Sequence, residues 1–565
     1  MAWGYWEPDH EAVLLDDSLL AEALQEIHEP LYVIHTTDGL AVAAGGQAVW
    51  TSLSASRGYP LQGIIPPCLP EHWGAASFRA DYHLRFAYVS GSMATGIGSE
   101  AIVEALAEQG MLGFFGAAGL SPNRVEQALD RLQRRLPSAS WGVNLIHSPH
   151  EPALEDSLSR LYLARGVKLV EASAYLDVTL PIVRYRTLGI YRQPDGRIVC
   201  PQRVMAKVSR AGVAEKFMAP PPERLLAELV RRGELTAEQA SWAERIPLAQ
   251  DITAEADSGG HTDNRPALTL FPEMQRLAAR ATQTYGYVEP LRVGLAGGIA
   301  TPSAVAAAFA MGAAYVMVGS VHQGCVESGT SDQVREMLAA AETADVTMCP
   351  AADMFEMGVK VQVLKRGTMF PMRATRLYEL YRQYPSLDAL PAAERQQLEQ
   401  TVFRCSLEEV WRQTQAYFAQ RDPQQLERAA RDPKHQMALV FRWYLGQSSR
   451  WANQGVPDRR ADYQIWCGPA MGAFNQWVRG SFLQDVRERR VACVALNLLY
   501  GAAVIQRASL LQQMGYSVPW EAWQVTPLPW SQVTQRLALA GEEHVAPTPV
   551  PVVTPAVATS GSLCS

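Results

Sequence analysis

The sequence predicts an α/β protein built on a (β/α)8 TIM barrel, with a small N-terminal β-containing unit and a large C-terminal helical region. Three observations predict it. Between about residues 84 and 320, short apolar runs alternate with amphipathic stretches, the pattern of repeated strand–helix units. Eight runs can be counted, at 86–92, 111–115, 141–146, 168–173, 204–209, 246–252, 291–296 and 314–319. The last two end in glycine-rich turns, Gly294-Leu295-Ala296-Gly297-Gly298-Ile299-Ala300-Thr301 and Val316-Met317-Val318-Gly319-Ser320. An open doubly wound sheet is the alternative.

The elements follow in order. Residues 1–80 read as a separate unit. Leu31–His35 and Leu40–Ala44 are β-rich runs around Thr-Thr-Asp-Gly, and Asp-Gly suits a primed hairpin turn. A linker at 59–74 carries Pro60, Pro66, Pro67 and Pro70. The barrel is expected over 81–375. Helical stretches between its strands include Glu100–Gln109, Asn123–Arg135, Pro152–Ala164 and Pro302–Ala310. Thr301-Pro302 is a cap followed by a proline at the first helical position.

Residues 376–540 are helical in pattern, with apolar residues three and four apart at Leu377, Leu380 and Tyr381, and at Leu407, Val410 and Trp411. Val491–Ile505 is nearly all apolar and reads as a buried helix. The region serves as a helical core, as a lid over the barrel mouth, or as both. The last residues, 541–565, are rich in Pro, Val, Thr and Ser and read as a disordered tail.

Composition excludes several classes. The 565 residues carry a net charge of −7, which argues against a general nucleic-acid binder. Eight cysteines are scattered without a CxxC pair, as expected of reduced thiols and a cytoplasmic protein. His147 and His150 flank Ser-Pro without a surrounding ligand cluster, so no metal site is expected. No basic n-region precedes an apolar core at the N-terminus. No apolar stretch looks long enough to span a membrane, which takes about 18 residues.

In a barrel, ligands sit at the C-terminal ends of the strands, often with phosphate on the last two βα loops. Gly297, Gly298, Gly319 and Ser320 occupy that place. Glycine lets backbone approach an anion closely, although the same residues also serve plain tight turns. The first strand ends in Ser90-Gly91-Ser92-Met93-Ala94, small enough for backbone to lie against a planar ring. Asn144 stands in an otherwise apolar third strand and needs polar partners. Lys207 is a cation in a buried-type fifth strand. It must face a polar mouth or pair with a carboxylate such as Glu171 or Asp251. The segment Gln250–His261 gathers carboxylates, Gly259, Gly260 and His261 in one expected loop, where His261 can exchange a proton near neutral pH.

The strings SGSMA, GVNLI, AKVS, EADSGGH, GLAGGIAT and MVGS resemble the flavin barrel group of nitronate monooxygenases and enoyl-ACP reductases. Residues 349–374, 431–452 and 462–478 narrow the resemblance to the PfaD-type trans-acting enoyl reductases of polyunsaturated-fatty-acid and polyketide synthases, over about residues 30–515. The resemblance implies FMN as cofactor and NADPH or NADH as hydride donor. It implies that Gly91, Ser92 and Met93 line the flavin, and that Asn144 and Lys207 contact its ring or ribityl chain. Gly259 and Gly260 would approach it, His261 would lie beside its reactive face, and Gly297, Gly298, Gly319 and Ser320 would hold its phosphate. The turn at Val318-Gly319-Ser320-Val321 lacks the Arg-Phe that smaller relatives often carry. The implied partner is an acyl carrier protein, with basic runs at Arg487, Arg489 and Arg490 and at Arg431, Lys434 and His435 as candidate docking points. Exposed helical surface in 351–540 would suit a homodimer. The alternative reading is a nitronate monooxygenase-like flavin oxidase of small molecules.

Overall fold

The computed structural model describes residues 4–50, 58–147, 149 and 152–538. The expected tail at 541–565, and His150, lie outside the described residues. Eight parallel strands close into a barrel in sequential order: Tyr88–Ser90, Leu112–Phe115, Gly142–Ile146, Leu169–Ser173, Arg203–Val208, Asp251–Glu255, Arg292–Ala296 and Val316–Val318. Local sequence explains the intervening helices. Ser99, Ser121 and Thr301 each accept the backbone N–H three residues on, and Pro122 and Pro302 open their helices at the first position.

The sixth strand departs from expectation. It runs from Asp251 to Glu255, not over 246–252. The apolar run Leu248-Ala249 is buried, but its amides donate to the carbonyls of Ala219 and Phe217 at the end of helix Ala211–Met218. Those bonds keep it out of the ladder. Asp251 therefore opens the strand at the barrel floor, far from the mouth.

That floor is a closed polar network. Arg292 Nε donates to Asp251 Oδ1 at 2.6 Å, Tyr82 Oη to Asp251 Oδ2 at 2.6 Å, and Arg203 and Arg292 both reach Asp81 Oδ2, at 2.6 and 2.7 Å. Helix Ala76–Tyr82 plugs the barrel from below and supplies Asp81 and Tyr82.

The N-terminal unit is a six-stranded sheet with helix Asp17–Gln25. Its hairpin joins Leu31–Thr36 to Gly39–Ala44, with Thr36 opposite Gly39. The turn is not the expected primed type: Gly39 alone takes a positive φ there, +124°.

After the eighth strand, a hairpin of Val346–Pro350 and Lys360–Leu364 adds the short strand Gly260–His261 to its edge. Helices Phe370–Gln383, Leu407–Arg421, Pro423–Arg431 and Pro433–Gln454 follow. They share a core of their own, including Phe355, Phe370, Leu377, Phe441 and Tyr444. Asp462, fully buried, ties this region together by accepting from Arg373, Arg459 and Tyr444.

Helix Val491–Gln513 packs instead on the barrel's flanking helix Pro302–Ala310 and shares the large hydrophobic core between strands and outer helices. It also grips the N-terminal unit, since Tyr500 Oη donates to Gln25 O and Arg507 Nη1 to Glu29 O. Contrary to expectation, this helix is long and apolar enough to cross a membrane. In this fold 94% of its apolar window is buried inside the protein.

Candidate active site

The seventh and eighth strands leave the barrel side by side, with Ala296 paired to Met317. Within two residues each chain reaches its glycine turn. Gly297 has φ +86° and Gly298 φ +77°, a region that only glycine enters readily. At Gly297 a Cβ would lie 2.7 Å from the Ala256 carbonyl carbon. At Gly298 and Gly319 it would meet nothing within 4 Å. Both turns therefore face open space at the mouth. Helix Pro302–Ala310 begins directly after the first of them.

His322 secures the second turn. It is fully buried between two groups of the first strand, with Nδ1 2.8 Å from Ser90 Oγ and Nε2 2.8 Å from Tyr88 Oη. Burial pushes its pKa down to about 3, so the ring is neutral. The first strand's own exit is packed against its neighbours. Gly91 N donates to Val318 O, and a Cβ on Gly91 would lie 2.8 Å from Met317 Sδ. The Met93 carbonyl accepts from Gly98 N at 3.0 Å.

Strands four, five and six present Glu171, Lys207 and Glu255 in a row across the mouth. Lys207 Nζ lies 3.7 Å from Glu171 Oε2 and 3.4 Å from Glu255 Oε1. Glu171 has no solvent exposure. It also accepts from the Ser92 amide at 3.3 Å, from Ser92 Oγ, and from Ser173 Oγ at 3.1 Å. Burial alone would strip Lys207 of its proton, but the two carboxylates outweigh it and raise the lysine pKa above its ordinary value. Glu255 moves up as well: burial and the Glu171 charge overcome the pull of Lys207. Of the two partners anticipated for Lys207, Glu171 is the one found, while Asp251 is spent on the floor network.

Asn144 is buried beside this row. Its amide donates to Ser173 Oγ at 3.0 Å, while Oδ1 has no partner among the described residues. A buried acceptor left alone is costly, so this atom is available to a ligand donor.

His261 sits on the short strand opposite Val361. Its Nε2 lies 3.1 Å from Asp353 Oδ1. Burial opposes the imidazolium, but the Asp353 carboxylate, helped by Glu255, leaves its pKa raised. Gln362 pins the same loop, donating to Asp257 Oδ1 at 2.7 Å and to Ser258 O at 2.8 Å. The C-terminal region closes over these turns. Gly259 abuts the Cys467 backbone, and a Cβ there would come within 2.9 Å of the Cys467 nitrogen. Gly260 faces Trp466. Gly468 N donates to Ser320 Oγ at 3.2 Å.

The strand ends thus bring Gly91, Ser92, Met93, Asn144, Lys207, Gly297, Gly298, Gly319 and Ser320 to one mouth, and the added strand brings Gly259, Gly260 and His261. Asp353 and Gln362 escaped the sequence reading, because their contacts form only when the hairpin folds back over the barrel. Only part of each candidate docking run reaches the surface. Arg431, Arg487 and Arg490 are exposed, Arg487 being paired with Asp485, whereas Arg489 and His435 are buried and Lys434 donates to the Tyr381 and Tyr384 carbonyls.

The comparisons fit this geometry. Residues 78–379 match the family model described as nitronate monooxygenase. The chain belongs to the nitronate monooxygenase family. The enoyl reductase domain of MlnA from Bacillus amyloliquefaciens superposes with a TM-score of 0.73 at 37% identity, over 78% of this chain and 98% of that one. Polyketide biosynthesis protein PksE of Bacillus subtilis is 44% identical over 77% of this chain and 56% of its own length. A polyunsaturated fatty acid synthase component of Thraustochytrium is 46% identical over 80% of this chain and 30% of its own length. The chain thus spans less than two thirds of either curated relative. Residues 384–463 also match the inserted helical domain of [acyl-carrier-protein] S-malonyltransferase. Family membership makes the protein an oxidoreductase on a TIM-barrel scaffold. The open glycine turns, the Asn144 Oδ1 that has no partner among the described residues, and the largely buried Lys207 are a donor and acceptor set that fits a flavin.

Proposed function

We propose that the chain is a trans-acting enoyl reductase. It uses FMN and NADPH or NADH to reduce the 2,3 double bond of enoyl thioesters on an acyl carrier protein during polyketide or polyunsaturated fatty acid synthesis. The observation that carries the reading is the match to the MlnA enoyl reductase domain over nearly all of that domain. The helical-insert match at 384–463 supports a carrier-linked substrate. Seven free thiols among the described residues fit work in a reducing cytoplasm.

In this reading Gly297, Gly298, Gly319 and Ser320 hold the FMN phosphate with backbone N–H groups. Gly91, Ser92, Met93, Gly259 and Gly260 give the ring close backbone contact. Asn144 Oδ1 accepts from it, and Lys207 supplies positive charge. When bound, FMN supplies hydride exchange between the nicotinamide and the β-carbon of the substrate. The protein's own residues do the rest. Glu171 and Glu255 fix the Lys207 ammonium in place, which removes the cost of reorienting it as charge develops. His261 provides the proton for the α-carbon. The 462–478 segment covers the turns and keeps water from the reacting atoms.

The test is spectroscopic. Purified holoprotein should carry oxidised flavin absorbance that NADPH or NADH bleaches under anaerobic conditions. Crotonyl thioester, above all crotonyl-carrier protein, should restore it. Recovery only with oxygen or a nitroalkane would support a small-molecule flavin oxidase instead, the reading favoured by the family model's own description. A protein that takes up no flavin would refute both.

A further inference from the structure

We infer that Asp353 is a positioning residue that grips His261 by Nε2, leaving Nδ1 as the nitrogen that hands a proton to the substrate. The α-carbon destination rests on the enoyl reductase reading; the grip itself does not.

Three observations carry the inference. Asp353 Oδ1 lies 3.1 Å from His261 Nε2. Nδ1 has no hydrogen-bond partner among the described residues, and the side chain keeps 32% exposure at the mouth. Both partners are also held still by independent contacts. His261 is pinned by its strand pairing with Val361 and by the Gln362 bonds to Asp257 and Ser258. Asp353 is anchored by the next two residues, Met354 and Phe355, which are buried. Phe355 packs against Tyr378, Tyr381 and Phe441. At 33% exposure for Asp353, the pair adds little to folding stability. Its value lies in orientation, as for a carboxylate that fixes a catalytic imidazole.

The step balances simply. The Nδ1–H bond breaks and its electron pair stays on the ring. The enolate's electron pair takes the proton and forms the new α-C–H bond. The imidazole left behind keeps its second proton on Nε2, against Asp353. The charges that face the ring are Asp353 from the hairpin connection, Glu255 from the sixth strand and Lys207 from the fifth. The Arg442 charge, on helix Pro433–Gln454, also helps to keep Asp353 ionised. The net effect favours the charged imidazolium, which suits a proton donor near neutral pH.

The experiment labels histidine rings with 15N and 13C in the full holoprotein and assigns His261 by loss of its signals in His261→Asn. In the wild type, the neutral ring should carry its proton on Nε2. In Asp353→Asn, the titration midpoint of His261 should fall by about one pH unit, and Asp353→Glu should restore most of it. Turnover should drop roughly 10- to 100-fold in Asp353→Asn, with no further loss when Asp353→Asn is added to His261→Asn. A proton on Nδ1 in the wild type, an unmoved midpoint, or additive losses in the double variant would overturn the inference. The ring spectra need no enoyl substrate. A wild type that fails to reduce crotonyl thioester would therefore remove the proposed function while the positioning result stands or falls on its own.

Discussion

Asn453, near the end of helix Pro433–Gln454, donates to Thr95 Oγ1 at 2.6 Å across 358 residues of sequence. Thr95 lies in the loop leaving the first barrel strand and has φ +56°, a conformation that costs a non-glycine residue about 1–3 kcal/mol. The helical region thus helps to hold the loop that carries Gly91, Ser92 and Met93.

Under the proposed function, Asn453→Ala should therefore weaken flavin binding. Losing one hydrogen bond is worth about 1 kcal/mol, or roughly 5-fold in dissociation constant. Fluorimetric titration of deflavinated protein measures it. An unchanged constant would mean that the loop holds its shape without the helical region.

Removing Lys207 should leave Glu171 and Glu255 facing each other with no cation. Breaking a buried ion pair costs about 3–5 kcal/mol, so Lys207→Met should lower the unfolding midpoint in urea clearly. Changing Glu255 to Gln in the same chain should recover part of the loss. If Lys207→Met is as stable as the wild type, the row of charges is not coupled.

Glu255 by itself should respond to pH in the opposite sense to an ordinary carboxylate. Its folded pKa lies above the unfolded value, so the folded state binds the extra proton. Stability contributed by this group is present at low pH and is lost as pH rises through the folded pKa. Glu255→Gln should flatten that decline. Denaturant unfolding at a series of pH values would show whether the slope changes.

His322 should contribute to the acid limb. Its folded pKa is about 3, below the ordinary histidine value of about 6.5, so only the unfolded chain takes up the proton between those values. Stability should fall with decreasing pH across that window by about 1.4 kcal/mol per unit. His322→Gln should remove that slope. An unaltered acid limb would show that His322 is not buried neutral.

At the barrel floor, Asp251→Ala leaves Arg292 without its buried carboxylate. It should destabilise by about 3–5 kcal/mol while affinity for the proposed flavin at the opposite end stays as in the wild type. Loss of flavin binding at temperatures where the chain is folded would show that floor and mouth are coupled.

Much of this architecture was legible in the residues. Alternating apolar runs located seven of the eight barrel strands, and the paired turns at Gly297-Gly298 and Gly319-Ser320 marked the end of the barrel that holds the candidate site. The sixth strand was misplaced because Leu248-Ala249 looks like a strand in composition, while its amides are engaged by the end of helix Ala211–Met218. The candidate docking runs were read too broadly for a related reason. A run of cations says nothing about which of them turn inward; Arg489 and His435 do, while Arg431, Arg487 and Arg490 stay exposed.

The sequence by itself determined the barrel, its mouth and the residue types gathered there, because strand periodicity and glycine turns are local in the chain. Only the tertiary structure decided which charges meet: Lys207 with Glu171 and Glu255, Asp251 with Arg292, His261 with Asp353. Those pairs join residues from about 36 to about 92 positions apart, and the energy of a charge depends on what surrounds it after folding rather than on its neighbours along the chain.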